Sequence, residues 1–358
     1  MGEYSKFISE KRRSIPTPHS IVDENGICVF GTFDKEFVGL DLVKAKKPTS
    51  SPQSKNKKRL TLWEAIEIHF DEGILFAVVS DMDLFGTNLN IWFDKRSREV
   101  TTWMTNLNSK DTVIAPNLLG TVAKAEHKRG YIRCENNLQE DKLRVEGEHD
   151  NGDVPLKYDL NLTRESKPSV VSIPFGENRP LYSQKDLFSV SGSVNIGGEE
   201  IVANERTAAI MDDHRGYYPK RMHYDWLSTM GRNPGNPEQY FGFNLTCNQS
   251  LNQDDYNENL IWKGKETSLL PPIAFSKNVP IKNYKKSDVV WEVKDQHDMV
   301  NVTFKVEDCF KMVVHALVIN IDYYIAFGTL NGYIRDEDGN KIILDGLTGM
   351  GEDKSMFF

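Results

Sequence analysis

The sequence predicts an all-β protein of barrel or sandwich type, and three observations carry that expectation. Apolar residues recur with period two, turn-forming clusters separate the runs, and no long stretch has the 3.6-residue period of an amphipathic helix. Side chains of a strand point alternately to its two faces, so a period of two gives one dry and one wet face.

Taken in chain order, KLRVE (142–146) and LKYDLNLT (156–163) come first, the latter alternating Leu156, Tyr158, Leu160 and Leu162 with polar residues. FSVSGSVNI (188–196), VVWEV (289–293) and VNVTFKV (300–306) follow the same rule. NIGGEE (195–200) and RDEDGNK (335–341) are the turns expected between hairpin strands. The chain also echoes itself. NLNIWFDK (88–95) is similar to NENLIWKGK (257–265), and GYIR occurs at 130–133 and again at 332–335. With 358 residues, this predicts two similar β-units, residues 1–175 and 176–358, joined through the proline-bearing segment 166–180.

Composition limits the function. A net charge of −8 and a pI near 5.6 disfavour nucleic acid as partner. One stretch runs the other way: KAKKPTSSPQSKNKKR (44–59) is basic without an acid, and reads as a mobile solvated loop in preference to a polyanion-binding arm. No apolar stretch is long enough for a transmembrane helix, and residues 1–20 lack the apolar segment of a secretory signal, so cytoplasmic localisation is expected. Cys28, Cys134, Cys247 and Cys309 are scattered without a CxxC pair and read as reduced thiols. Neither a metal nor a cofactor is expected: the histidines lack HxH or HxxxH spacing, and GxSxG, phosphate-loop and GxGxxG motifs are absent.

The densest chemistry lies in MDDHRGYYPKRMHYDWLSTMG (211–231), two extended pieces around a turn at GYYPK. Alternation puts Asp212 and His214 on one face and Asp213 and Arg215 on the other. Likewise Tyr224, Trp226 and Ser228 oppose His223 and Asp225. With Asn244, Glu258 and Asn259 from the following strands, such residues suit a cavity for a mostly apolar small molecule with a polar handle. Asp212 is the candidate acid, expected to face a cavity near Trp226 within reach of Arg215, Arg221 or His214. Desolvation by Trp and Tyr would raise its pKa. The alternative for the same residues is a structural ion pair of Asp212 with Arg215 or Arg221.

DDHRGYYPKRMHYDW, FGFNL and NENLIWKGK, with KRLTLWEAIEIHF, SDMDLFG and GNKIILDGLTGMGED, resemble the bacterial family called domain of unknown function 2804 over roughly residues 15–355. That family is similar to proteins built of two lipocalin-like, calycin-type β-barrels packed together, among them carotenoid hydratases of the hydroxyneurosporene synthase type and fungal cyclases acting on polyenes. The resemblance implies a double barrel. Tyr224 and Asp213 depart from the aromatic residues common at those positions and make this pocket more polar. Three functions follow as expectations. The first is a hydratase, isomerase or cyclase with Asp212 as acid, Arg215 beside it, and His214, Tyr217, Tyr218, Arg221, Tyr224 and Trp226 around the substrate. The second is a carrier or sensor of a hydrophobic ligand, and the third a structural double barrel. An enzyme should hold its ionisable cluster inside a barrel, a carrier at the rim.

Overall fold

The computed structural model describes residues 2–82, 85–150, 154–315 and 320–357, so Asp83 and Leu84 of the SDMDLFG motif lie outside the described residues. Strands dominate. Among the described residues the only helical elements are three-residue 3-10 turns, and no helix is long and apolar enough to cross a membrane.

The strands form two antiparallel sheets, each curled into a nearly closed barrel. In the first, Thr61–His69, Gly73–Asp81, Gly86–Asp94 and Glu99–Leu107 run outward in order from one side of Ala208–Gly216. On its other side follow Arg179–Ile196, Leu156–Arg164, Lys142–His149, Gly130–Asn137 and Leu119–His127. The curl brings Gly73–Asp81 against Thr112–Val113 and Leu119–His127 from the opposite end. In the second sheet Arg221–Asn233, Asn236–Cys247, Leu260–Lys263 and Glu266–Leu269 run outward from one side of the last strand, Thr348–Phe357. Beyond it come Asn320–Arg335, Val300–His315, Val290–Lys294 and Ala274–Lys277. Each sheet therefore pairs its first long strand with its last, in the same spatial order.

This equivalence explains one echo and dismisses the other. The two IW motifs lie on matching strands, Gly86–Asp94 and Leu260–Lys263, each third in its sheet counted from the central strand. The two GYIR motifs do not match: one begins Gly130–Asn137, near the far end of the first sheet, and the other ends Asn320–Arg335, beside the central strand of the second.

The division near residue 175 is corrected. The compact units are Ser14–Trp92 with Thr101–Tyr218, and Met1–Arg13 and Phe93–Val100 with Pro219–Phe358. The proline-bearing segment is no crossing, because Val170–Gly176 pairs with Arg179–Ile196, which pairs in turn with Leu156–Arg164 and Ala208–Gly216. Backbone hydrogen bonds thus hold residues 179–216 in the first sheet. The crossing is the GYYPK segment, since Ala208–Gly216 belongs to the first sheet and Arg221–Asn233 to the second.

Within each barrel the period-two pattern sets the core. Leu156–Arg164 alternates strictly between buried and exposed residues, and its Leu156, Tyr158, Leu160 and Leu162 meet Ile66, Ile68, Trp103, Phe188 and Met211 inside the first barrel. Trp291, Phe304, Phe241, Phe243 and Leu227 fill the second. Each fully buried aliphatic or aromatic side chain contributes about 1.5–3 kcal/mol. A polar side chain on these inward faces forgoes that gain and also loses hydration, so each one needs a physical account.

Candidate active site

In the first barrel that account begins at Glu64. It lies on the same face of Thr61–His69 as the core residues Ile66 and Ile68. Strand register sets it directly opposite Asp213, which is itself opposite Gln184 on the next strand. All three side chains are fully buried. A carboxylate placed there costs several kcal/mol unless paired, and two facing one another cost more.

The chain neutralises only one of them. Arg215, two residues along the same face, clasps Asp213 with Nε to Oδ1 at 2.6 Å and Nη2 to Oδ2 at 2.7 Å. Glu64 accepts one hydrogen bond, from Asn136 Nδ2 at 2.8 Å to Oε1, and its Oε2 has no hydrogen-bond partner. Burial, reinforced by the charge of Asp213, pushes the Glu64 carboxyl up to about 8. Asn136 and Arg215 pull it only partly back. The environment of Glu64 therefore favours its protonated form, with one oxygen engaged and the other without a hydrogen-bond partner. Cys134, on the same inner wall, stays a thiol, raised by burial and by the nearby Glu64.

A second polar group adjoins it. Tyr182 Oη donates to Gln184 Oε1 at 2.8 Å, and Gln184 Nε2 donates to Asp186 Oδ2 at 2.7 Å and to Glu36 Oε1 at 3.1 Å. Arg164 binds Asp186 at 3.2 Å, Asp141 at 2.6 Å and Glu36. Burial raises the Asp186 carboxyl against the attraction of Arg164.

The second barrel repeats the arrangement at matching positions. Asp225 on its first long strand stands opposite Asp353 on its last, as Glu64 stands opposite Asp213. Here the cation is Lys277, whose Nζ donates to Asp353 at 2.7 Å and to Asp225, and lies 4.7 Å from the centre of the Trp291 ring. His223 Nε2 is 3.1 Å from Asp225 Oδ2, a hydrogen bond that raises the imidazole despite partial burial. His223, Asp225 and Asp353 have ligand atoms within 4.8 Å of one another, a metal-like grouping among the described residues in which the chain's own Lys277 already supplies a cation.

The residues singled out in the sequence separate between the two units. Asp212 lies on the opposite face of its strand from Asp213, and its carboxylate is 3.1 Å from the Lys185 ammonium, which also donates to Ser183 Oγ at 2.9 Å. The acid expected to face the cavity is thus ion-paired with Lys185, not with Arg215 or Arg221. Arg215 holds Asp213 instead. His214 Nδ1 is 3.4 Å from Tyr218 Oη, and Tyr217 Oη donates to the Leu42 carbonyl at 2.9 Å. These five belong to the first unit.

Arg221, Tyr224, Trp226, Asn244, Glu258 and Asn259 belong to the second unit. Arg221 is exposed beside the Phe357 ring. Trp226 Nε1 donates to Asn244 Oδ1 at 2.6 Å, and Asn244 Nδ2 to the Glu258 carbonyl at 2.7 Å. Tyr224 Oη donates to Glu352 at 2.6 Å. Asn259 bonds the Thr246 amide and the Pro271 carbonyl, and its own carbonyl, like the Asn257 side chain, receives the buried Arg12 guanidinium. The NEN motif is thereby an anchor for the N-terminal segment.

Sequence reading missed Glu64, Asn136, Tyr182, Gln184, Asp186, Lys277 and Asp353. A signal for three of them was present. Glu64 continues the inward series Ile66, Ile68, and Gln184 and Asp186 continue Phe188, Val190, so each is a polar residue at a core position of its strand.

The family described as "Domain of unknown function (DUF2804)" matches over residues 12–358. The chain belongs to it. For this member of the family no curated protein matches. Among solved structures, kievitone hydratase from Nectria haematococca is similar with a TM-score of 0.50 at 12% identity, covering 83% of this chain and 88% of that one, and shows the same fold. CghA with Sch210972 is similar with a TM-score of 0.43 at 8% identity, covering 99% and 97%. CghA in a second structure gives 0.42 at 8% identity, covering 98% and 96%.

Proposed function

We propose that this DUF2804 protein is a cofactor-independent acid–base enzyme that hydrates an unsaturated, mostly apolar small molecule inside its first barrel, with Glu64 as proton donor. The observation that carries this is the buried Glu64 carboxyl, raised by burial and by the charge of Asp213 opposite it, whose Oε2 has no hydrogen-bond partner. A general acid works best with a pKa near the working pH. The Glu64, Asp213 and Arg215 side chains are buried on the inner face of the first barrel, and the fold is shared with a protein named as a hydratase.

Glu64 gives its proton to one carbon of the double bond, whose π pair becomes the new C–H bond. Water attacks the cation left on the other carbon, and its surplus proton returns to Glu64, restoring the acid. As Glu64 becomes a carboxylate, Arg215 stabilises it. The rings of Trp92, Trp103 and Tyr158 on the same inner wall favour the transient positive charge. Asp212 and Arg215 act in this reading as supports, one neutralising Lys185 and the other orienting Asp213.

The test uses a panel of apolar alkenes, terpenoid and polyene, incubated in 18O-labelled water and read by mass spectrometry. The proposal expects addition of one labelled water to at least one compound, lost in Glu64→Gln with ligand binding retained. Undiminished turnover in Glu64→Gln refutes it.

A further inference from the structure

The basic stretch 44–59 is an ordered element. Asn56, fully buried, donates from Nδ2 to the carbonyls of Ala45 at 2.8 Å and Val43 at 3.1 Å. Gln53 Nε2 donates to Ala45 O at 2.8 Å, and Gln53 Oε1 accepts from the Lys47 amide at 3.0 Å. From the turn between two strands of the first sheet, Asn178 Nδ2 donates to Lys46 O at 2.8 Å and Arg179 Nε to Pro48 O at 2.8 Å. Six hydrogen bonds thus order this loop, two of them from residues 178–179.

Between the two segments lies a cleft of about 640 Å³, lined by Ile27, Lys46, Lys47, Thr49, Asn178 and Arg179, with Pro48 and Gly176 in its walls. One acid, Glu177, also lines it. Three cations against one exposed carboxylate leave a local surplus of positive charge in a protein whose net charge is −8. Arg59 adds to it: burial, then the charge of Arg179, lowers its pKa, as expected where cations gather. Lys47 is held at φ 51, a left-handed conformation that non-glycine residues avoid and that concentrates at ligand clamps.

We propose that this cleft is a binding site for a small organic diphosphate, separate from the barrel interior. The Lys46 and Lys47 ammonium groups and the Arg179 guanidinium supply charge-assisted donors. The Thr49 hydroxyl and the wall of Ile27 and Pro48 suit the ester oxygen and organic part. A monoanion would leave part of the positive surplus of Lys46, Lys47, Arg179 and Arg59 over Glu177 unmatched, whereas an organic diphosphate balances it.

Isothermal titration calorimetry of the full chain with inorganic pyrophosphate, ADP and inorganic phosphate tests this. Expected are saturable binding of pyrophosphate and ADP with Kd at or below about 100 µM and phosphate at least about tenfold weaker. The double variant Lys46→Gln/Lys47→Gln should weaken pyrophosphate at least about tenfold, while Lys57→Gln/Lys58→Gln, which removes the same charge from the same loop outside the cleft lining, changes it less than about threefold. If the first double variant melts lower than the wild type, Lys46→Gln alone replaces it, with at least about threefold weakening expected. Absence of saturable heat at millimolar pyrophosphate overturns the proposal. So does equal weakening in the cleft and off-cleft variants, which would mark a diffuse charged surface.

Discussion

Replacing Glu64 by glutamine keeps the shape of the side chain and the bond to Asn136 but removes the proton equilibrium. In the wild type the unfolded chain carries Glu64 near its ordinary value of 4.5, while burial and Asp213 hold it at about 8 in the folded state. Between those values the folded state binds a proton that the unfolded state has lost, so stability falls as pH rises through the window. From about pH 5 to about pH 8 this linkage amounts to roughly 3–4 kcal/mol, taking about 1.4 kcal/mol per unit of pKa difference and allowing for partial titration at each end. Urea unfolding of the wild type and Glu64→Gln at intervals across that range measures it. The wild type should lose roughly that much more stability than the variant as pH rises. A protonated carboxyl band in the infrared spectrum near neutral pH should also vanish in the variant. Identical pH slopes for the two proteins would refute the assignment of Glu64 as a buried neutral acid, and with it the acid role.

Arg215→Met strands Asp213 opposite Glu64, and unfolding free energy should fall by about 3–5 kcal/mol, with part recovered at low pH where carboxylates protonate. Asp225→Asn removes the carboxylate charge whose hydrogen bond and attraction raise His223, so the His223 midpoint, followed by NMR, should move down. In the wild type the stabilising contribution of that raised imidazole is complete below its unfolded value and is lost as pH rises through its folded one. Trp226→Phe leaves Asn244 Oδ1 without its indole donor at a buried position and should cost about 1–3 kcal/mol in denaturant unfolding. Gly351→Ala would place a Cβ 2.6 Å from the Trp291 ring and 3.0 Å from the Trp226 carbonyl. Its melting temperature should drop, with about 1–3 kcal/mol lost to overpacking.

Alternation along the chain was enough to determine the all-β class, the strands 156–164 and 300–306, and the facing of the charged segment. Asp213 and Arg215 do share a side and do pair, and His223 and Asp225 do likewise, because period two is a local property of extended backbone. What sequence could not decide is which strand lies beside which. Hydrogen bonds between residues far apart in the chain set Glu64 opposite Asp213 and Asp353 opposite Asp225. The same pairing carried residues 179–216 into the first sheet and divided the charged segment between two units. It also settled which carboxylate has a cation. Arg215 lies on the face of Asp213 and Lys185 beside Asp212, while Glu64 Oε2 has no hydrogen-bond partner among the described residues. A raised carboxyl depends on burial and on the charges around it in space. Those are properties of the curled sheet, so the raised carboxyl of Glu64 became visible only when the strands were in register.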